Sequence, residues 1–338
     1  MVVQNRRTGT SPVPTSEITI ESNPGTADKA KLKALRELGI NRLSIGVQSF
    51  NNRHLKTLGR IHSAEEALNF CADARAAGFD NINLDLIFAL PNQTFEEWKS
   101  DLETAINLQP DHLSTYNLQI EENTPLWEKV NMPSPTNSKP SPLSRRERVL
   151  PNFQKHSSFS LWEKGESLTP VDEGFNIPSE DEELKMYEYT IETLTAKGYK
   201  HYEISNFAKS GFECQHNVNY WKNGNYLGLG AGAHSHLNGK RWSNPNCIEA
   251  YVAGRGTSTS SVESSRVAGQ KLETGDPRQE ALFLGLRLLE GLPSEKFAGF
   301  EKEVDELFKE GLLTQENNHY KLTRRGLYLG NLVFERFV

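Results

Sequence analysis

Residues 81–94 read NINLDLIFALPNQT. The run INLDLIFAL is nearly unbroken apolar sequence, the pattern of a parallel strand covered on both faces. Asn83 and Asp85 interrupt it, and the two-residue period of a strand puts them on one face. Working outward, three similar strands are expected at Ile18–Glu21, Arg42–Gln48 and His112–Gln119, with this one at Asn81–Ala89. The segments between them carry helix punctuation. Ser63…Glu66 and Thr94…Glu97 have capping-box spacing, in which a hydroxyl and a carboxylate satisfy free amides at a helix start. Gly39 and Gly78 stand where a left-handed residue closes a last turn. Four strand–helix units from Glu17 to about Asn123 make this an α/β chain, either a (β/α) barrel or an open doubly wound sheet.

The organisation elsewhere is less regular. Residues 1–16 are polar, proline-bearing and without apolar period. Residues 131–179 are rich in Pro, Ser and charge, and are expected to be a disordered insertion within a barrel region begun at 17–130. A helix restarts at the capping box Ser179…Glu182 and stops at Gly198. Residues 180–245 are expected to complete the barrel, and their part from His201 is dense in aromatics, glycines and histidines. A polar linker, 246–275, precedes a smaller α+β domain, 276–338. That domain reads as helix (Arg278–Glu290), helix (Glu295–Lys309), a hairpin around Asn317-Asn318 and a closing helix, an order that is winged-helix-like.

Composition removes several function classes. The 338 residues are 36% hydrophobic, enough for a substantial core, and the net charge of −6 gives no basic field for a phosphate backbone, so nucleic acid is not an expected partner. No apolar run reaches membrane-spanning length and no signal-peptide core stands at the N-terminus, which makes the cytoplasm the expected compartment. The three cysteines, Cys71, Cys214 and Cys247, have no CxxC-type spacing. Cys71 sits in a helix-like stretch and reads as a small buried apolar residue.

In a parallel β/α barrel, functional side chains gather at the carboxyl ends of the strands. Here those ends carry Glu21, Gln48 and Asp85, with Asn83 on the face of Asp85 and Arg60 and His62 in LGRIH just beyond the second strand. Such a set can hydrogen-bond the hydroxyls, amino group and carboxylate of a polar small molecule. Each residue alone also reads as an ordinary turn or capping group.

The motifs ITIESNPGT, INRLSIGVQSF, LGRIH and NINLDLIFALPNQT, in this order and spacing, resemble the radical S-adenosylmethionine family that contains oxygen-independent coproporphyrinogen III oxidase, and most closely its HemW-type haem chaperone branch. The resemblance implies a partial radical-SAM (β/α) barrel with a family-specific C-terminal domain. It places Glu21, Gln48, Arg60 and Asp85 on positions that hold the ribose and methionine parts of S-adenosylmethionine. It also implies two earlier βα units, one carrying CxxxCxxC for a [4Fe–4S] cluster and one a glycine-rich loop. Neither is in this sequence, so the opening residues are expected to mark a truncation of the chain or of its gene model. On that expectation the chain assembles no cluster and does not cleave S-adenosylmethionine reductively, because the electron arrives through the cluster.

A second constellation, His216-Asn217-Val218-Asn219-Tyr220-Trp221, matches HNxxYW, a motif of the chaperone branch. A neutral imidazole is a good axial haem ligand and flanking aromatics can cover a porphyrin face, so the resemblance implies haem held by His216, Tyr220 and Trp221, with His216 on the iron. Cys214 is a weaker second ligand. The alternative is a structural imidazole with both aromatics filling the open side of the barrel. Gly228-Leu-Gly230-Ala-Gly232 lacks nucleotide-loop spacing and reads as close backbone packing. His234 and His236 share a face without a third ligand. In the last domain Lys321, Arg324 and Arg325 mix with Glu301, Glu303, Asp305, Glu306 and Glu310, which favours a packing or lid role over DNA recognition.

The resemblance therefore implies a haem carrier that passes haem to a client haem protein such as a respiratory membrane protein. Peripheral contact with membrane-bound clients and a homodimer are accompanying expectations, and the electron donor is not named by the sequence. The competing readings are an oxygen-independent coproporphyrinogen III oxidase and an inactive remnant.

Overall fold

The stretch INLDLIF forms one strand of a six-stranded sheet whose order is β3-β4-β5-β6-β8-β7. Strands are numbered along the chain from a short antiparallel pair, β1 (Asn5–Arg6) and β2 (Thr15–Ser16). The sheet then comprises β3 (Thr19–Ser22), β4 (Arg42–Gln48), β5 (Ile82–Phe88), β6 (His112–Asn117), β7 (Lys200–Glu203) and β8 (Asn206–Ala208). The computed structural model describes residues 5–6, 15–120, 124, 126–128, 176–254, 271–273 and 276–338. Of the expected insertion 131–179, only 176–179 are among them. The chain divides into two units, one of Thr19–His201 with Ser205–Phe212, the other of Met1–Ile18, Tyr202–Ile204 and Glu213–Val338. The 180–245 segment thus contributes to both.

In the first unit β3 to β6 run parallel, joined by α1 (Lys29–Glu37), α2 (Asn52–Thr57), α3 (Ala64–Ala76) and α4 (Phe95–Asn107). The parallel repeat stops at β6, because β8 pairs with it antiparallel. All three expected capping boxes form, at Ser63, Thr94 and Ser179, the last opening α5 (Glu180–Ala196). Gly39, Gly78 and Gly198 each close a helix with a positive φ.

The apolar run of β5 conceals an alternation. Ile82, Leu84, Leu86 and Phe88 face the helices, where they join Leu43, Ile45, Leu113, Leu32, Phe70, Trp98, Leu102, Met186 and Leu194 in one core. Full burial of each large side chain contributes about 1.5–3 kcal/mol. Trp98 also donates its Nε1–H to Thr190 Oγ1 at 2.9 Å, so its one polar atom is satisfied. The opposite face of the strand presents Asn83 and Asp85, followed by Ile87, which packs on Leu58 and Leu90.

The second unit holds the antiparallel sheet β9 (His234–Leu237), β10 (Lys240–Ser243) and β11 (Lys271–Glu273), and a winged-helix-like module with the sheet order β12-β14-β13. These last strands are β12 (Leu292–Pro293), β13 (Leu313–Glu316) and β14 (His319–Leu322), the last two joined at Asn317 and Asn318, both with positive φ. Two helices are shorter than their periodicity predicts. The first spans Pro277–Gly285, because Leu288 leaves the helix to bridge Glu203. The second spans Glu301–Lys309 and is separated from a 3-10 turn, Ser294–Phe297, by Gly299 at φ 92°.

Candidate functional site

Strand register builds the first constellation. Glu21, Ser44, Asn83 and His112 are consecutive register partners across β3, β4, β5 and β6, and Asp85 pairs with Ser114 in the next row. The Asn83 Nδ2 donates to Asp85 Oδ1 at 2.8 Å and lies 2.7 Å from Ser44 Oγ, which in turn donates to Asp85 Oδ2 at 3.2 Å. The Asn83 Oδ1 accepts from Ser114 Oγ at 3.2 Å and from His112 Nδ1 at 2.6 Å. Burial holds His112 well below the usual imidazole range, with Arg42 acting in the same direction, so it is a neutral donor here. Asp85 is raised by burial, against hydrogen bonds from Ser114 and Asn83, the charge of Arg42, and a hydrogen bond from Ser44. This corrects one expectation: Asp85 sits mid-strand inside a polar row, and the end of β5 is Phe88.

Gln48 does stand at a strand end, and its backbone is unusual. Its φ is 67°, and the pairing with β5 slips between Ile45 and Gln48. A non-glycine residue in that region is strained and persists where its surroundings over-determine it. Two features here do so. Asp101 accepts from Ser49 Oγ at 2.6 Å and from Phe50 N at 2.8 Å, pinning the chain just after Gln48. Gly46 lets side chains close over the strand: a Cβ there would stand 2.5 Å from Asn23 Oδ1 and 2.9 Å from Gln48 Nε2. Arg60 is half-buried; burial lowers its pKa and the Asp85 charge partly restores it. Glu21 is exposed on the row that Ser44 and Asn83 continue. His62 serves the backbone, its Nε2 lying 3.2 Å from Val47 O.

The second constellation lies in the other unit. His216, Tyr220 and Trp221 ride one short helix, Gln215–Trp221. Its start is fastened by residues far away in sequence: Glu17, almost fully buried, accepts from Gln215 N at 3.3 Å, and Tyr202 OH accepts from Cys214 N at 3.3 Å. His216 and Tyr220, one turn apart, meet edge to face with centroids 4.5 Å apart. Trp221 turns to another neighbourhood. It packs on the core formed by Leu282, Phe283, Leu286, Val333 and Phe334, and the Arg287 guanidinium lies 5.1 Å from its ring centroid and 4.6 Å from that of Phe334.

Three further candidates resolve as packing. A Cβ on Gly228 would stand 2.1 Å from His234 O, the close approach expected of that glycine stretch. His236 is buried with Nδ1 3.0 Å from Gly224 O. Cys71 is buried with its thiol pushed up to about 12 by burial. Cys214 is also buried, its Sγ 3.9 Å from Glu17 Oε1, while Cys247 is exposed. These thiols do not fit an iron–sulfur cluster, and among the described residues no three His, Cys, Asp or Glu side chains converge as a metal site.

The donors on the sheet face and on the short helix suit two different ligands. Carboxylates, a carboxamide and a guanidinium complement hydroxyls, an amine and a carboxylate, whereas an imidazole beside an aromatic ring complements haem. Sequence reading missed Ser44, Asn23, His112, Ser114 and Glu17. The strand period could have pointed to Ser44, His112 and Ser114, whereas Asn23 and Glu17 depend on tertiary pairing.

The Radical SAM superfamily profile matches residues 10–105 and the HemN C-terminal domain profile matches residues 275–329. The heme chaperone HemW of Lactococcus lactis is 34% identical over 331 residues, covering 95% of this chain and 75% of that protein. The heme chaperones HemW of Bacillus subtilis and Escherichia coli are 32% and 33% identical, each covering 96% of this chain, and 76% and 75% of their own lengths. The structure of coproporphyrinogen III oxidase (HemN) from Escherichia coli, a radical SAM enzyme, superposes with a TM-score of 0.64 over 95% of this chain and 69% of that one, at 22% identity, which establishes the fold. No helix among the described residues is long and apolar enough to cross a membrane. By its motifs, its fold and these relatives, the chain belongs to the HemW heme chaperone family within the radical SAM superfamily.

Proposed function

We propose that this chain binds haem as cargo through His216 and delivers it to a client haem protein. The observation that carries the proposal is the pairing of His216 with Tyr220 at 4.5 Å on a helix secured by Glu17 and Tyr202. A neutral imidazole supplies the iron ligand, and Tyr220 lies alongside the porphyrin. Trp221 fastens the helix to the core that also holds Arg287 and Phe334. Delivery takes place in the cytoplasm, to clients that include membrane-bound ones, and the working form is a homodimer. The test is a haem titration of the wild type against His216→Ala. A Soret change lost in the variant supports the reading, and an identical change ends it.

The sheet face is proposed to hold S-adenosylmethionine. Arg60 would pair with the ligand's carboxylate, while Glu21 and Asp85 would hold the ribose hydroxyls and Gln48 the remaining polar groups. When bound beside a reduced iron–sulfur cluster, S-adenosylmethionine undergoes reductive cleavage. Cys71, Cys214 and Cys247 do not make that cluster, so the proposal assigns this chain no radical step of its own. Anaerobic reconstitution yielding about four irons per chain with a cluster spectrum contradicts that assignment; background iron supports it.

A further inference from the structure

We propose that Tyr226, outside the HNxxYW motif, is a positioning residue for haem capture that sets the His216 ring through Tyr220, held in turn by Arg241 and Glu280. The inference rests on the haem reading of His216. Three rings follow one another edge to face: His216 to Tyr220 at 4.5 Å and 77°, then Tyr220 to Tyr226 at 4.5 Å and 89°. Such contacts are preferred because the positive edge of one ring meets the negative face of the next, so rotating one ring disturbs its neighbour. The terminal torsion of a histidine is broad, so a ring packed edge to face against it biases its angle. The far end of the ladder is anchored. Tyr226 is buried, and its backbone is bonded both ways to His236, at 2.7 and 3.0 Å.

Its hydroxyl accepts a hydrogen bond from Arg241 Nη1, and that buried guanidinium also contacts Asn223 Oδ1 at 3.2 Å and Glu280 Oε1 at 2.8 Å. Arg241 lies on β10 and Glu280 on the Pro277–Gly285 helix, so the ladder ends on two separate elements. A buried guanidinium with its carboxylate and hydroxyl partners in place resists displacement, because losing the carboxylate leaves its charge uncompensated and losing the hydroxyl removes a hydrogen bond. Groups behind a metal ligand fix its orientation in this way, and their removal typically weakens metal affinity about 10–100-fold.

The test uses the full chain, titrated with ferric haem and read by Soret absorbance and low-temperature electron paramagnetic resonance, with circular dichroism to establish folding. Tyr226→Leu, which removes the ring, is expected to weaken binding about 10-fold and to broaden the ferric resonance into several ligand-field environments. Tyr226→Phe, which keeps the ring and loses the hydroxyl, is expected to fall between it and the wild type. Glu280→Gln is expected to shift the spectrum in the direction of Tyr226→Leu. A folded Tyr226→Leu with wild-type affinity and resonance overturns the proposal. If Tyr226→Leu does not fold, a folded Glu280→Gln with the wild-type resonance overturns it instead. His216→Ala separates the two claims. If it leaves the Soret change intact, the haem reading itself fails. If it abolishes the change while Tyr226→Leu behaves as wild type, only the positioning role fails.

Discussion

On the sheet face, Asn83 alone engages Ser44, Asp85, His112 and Ser114, and every one of these side chains projects from a strand in fixed register. Around His216 there are edge-to-face ring contacts, to Tyr220 and on to Tyr226, and the helix that bears His216 and Tyr220 is seven residues long. The first arrangement is rigid because hydrogen bonds have narrow geometry and a one-residue slip would move the whole set to the other face. The second is directional yet adjustable, since offset and edge-on ring contacts tolerate small movements. The contrast fits the proposed division between a small polar ligand on the sheet face and a cargo at the helix that must leave. It also yields graded expectations about what each region withstands.

The largest effect is expected beneath the rigid region. Trp98→Ala empties a fully buried site and removes the bond to Thr190. The cost is about 3–5 kcal/mol, visible as a lowered urea midpoint, and a loss below about 1 kcal/mol would mean that the sheet is not held by this core. Gly46→Ala comes next. Its new methyl meets Asn23 and Gln48, and overpacking costs about 1–3 kcal/mol. Unchanged thermal stability would show that those two side chains move aside freely, and the rigid half of the comparison would be withdrawn.

Asp101 gives a pH signature of the same region. Burial raises its pKa to about 6, against the hydrogen bonds from Ser49 and Phe50, whereas an unfolded aspartate titrates near about 3.9. The folded state therefore takes up this proton first. Stability is expected to rise as pH falls from about 6 to about 4, by on the order of 2 kcal/mol, and Asp101→Asn should abolish that slope. Glu97 acts oppositely: it is lowered to about 2 despite the raising effect of burial, by the Thr94 amide and by Arg53 and His54. Its contribution is present above the unfolded carboxylate value and is lost as pH falls toward about 2. Chemical unfolding across that range separates the two, and parallel profiles for wild type and Asp101→Asn would refute the assignment. The smallest effect is Ser63→Ala, about 1 kcal/mol, measured as a modest fall in melting temperature; an effect several times larger would mean that Ser63 does more than cap α3.

The ease with which each region can be read from sequence follows its physics. Capping boxes at Ser63, Thr94 and Ser179, and the left-handed glycines 39, 78 and 198, are local signals, and all six stand where the spacing predicts. Arg42–Gln48 is likewise a strand from end to end. Asp85 reads as a strand end in the sequence but lies mid-strand, because a continuous apolar run does not reveal register. The left-handed Gln48 depends on a slip against β5 and on Asp101, neither of which has a signature within its own segment. Glu17 resembles the start of a strand, yet its carboxylate secures a helix 198 residues later in the chain. HNxxYW was visible as a motif, but not the division of its aromatic residues between Tyr226 and Arg287.

The central claim is that haem is captured by the His216 helix and not by the polar face of the sheet. Titrating ferric haem into the wild type, His216→Ala and Asp85→Asn, with the Soret band as readout, compares the two regions directly. The account predicts a saturable Soret change in the wild type and in Asp85→Asn, and its loss in His216→Ala. A change that survives in His216→Ala and disappears in Asp85→Asn would contradict it.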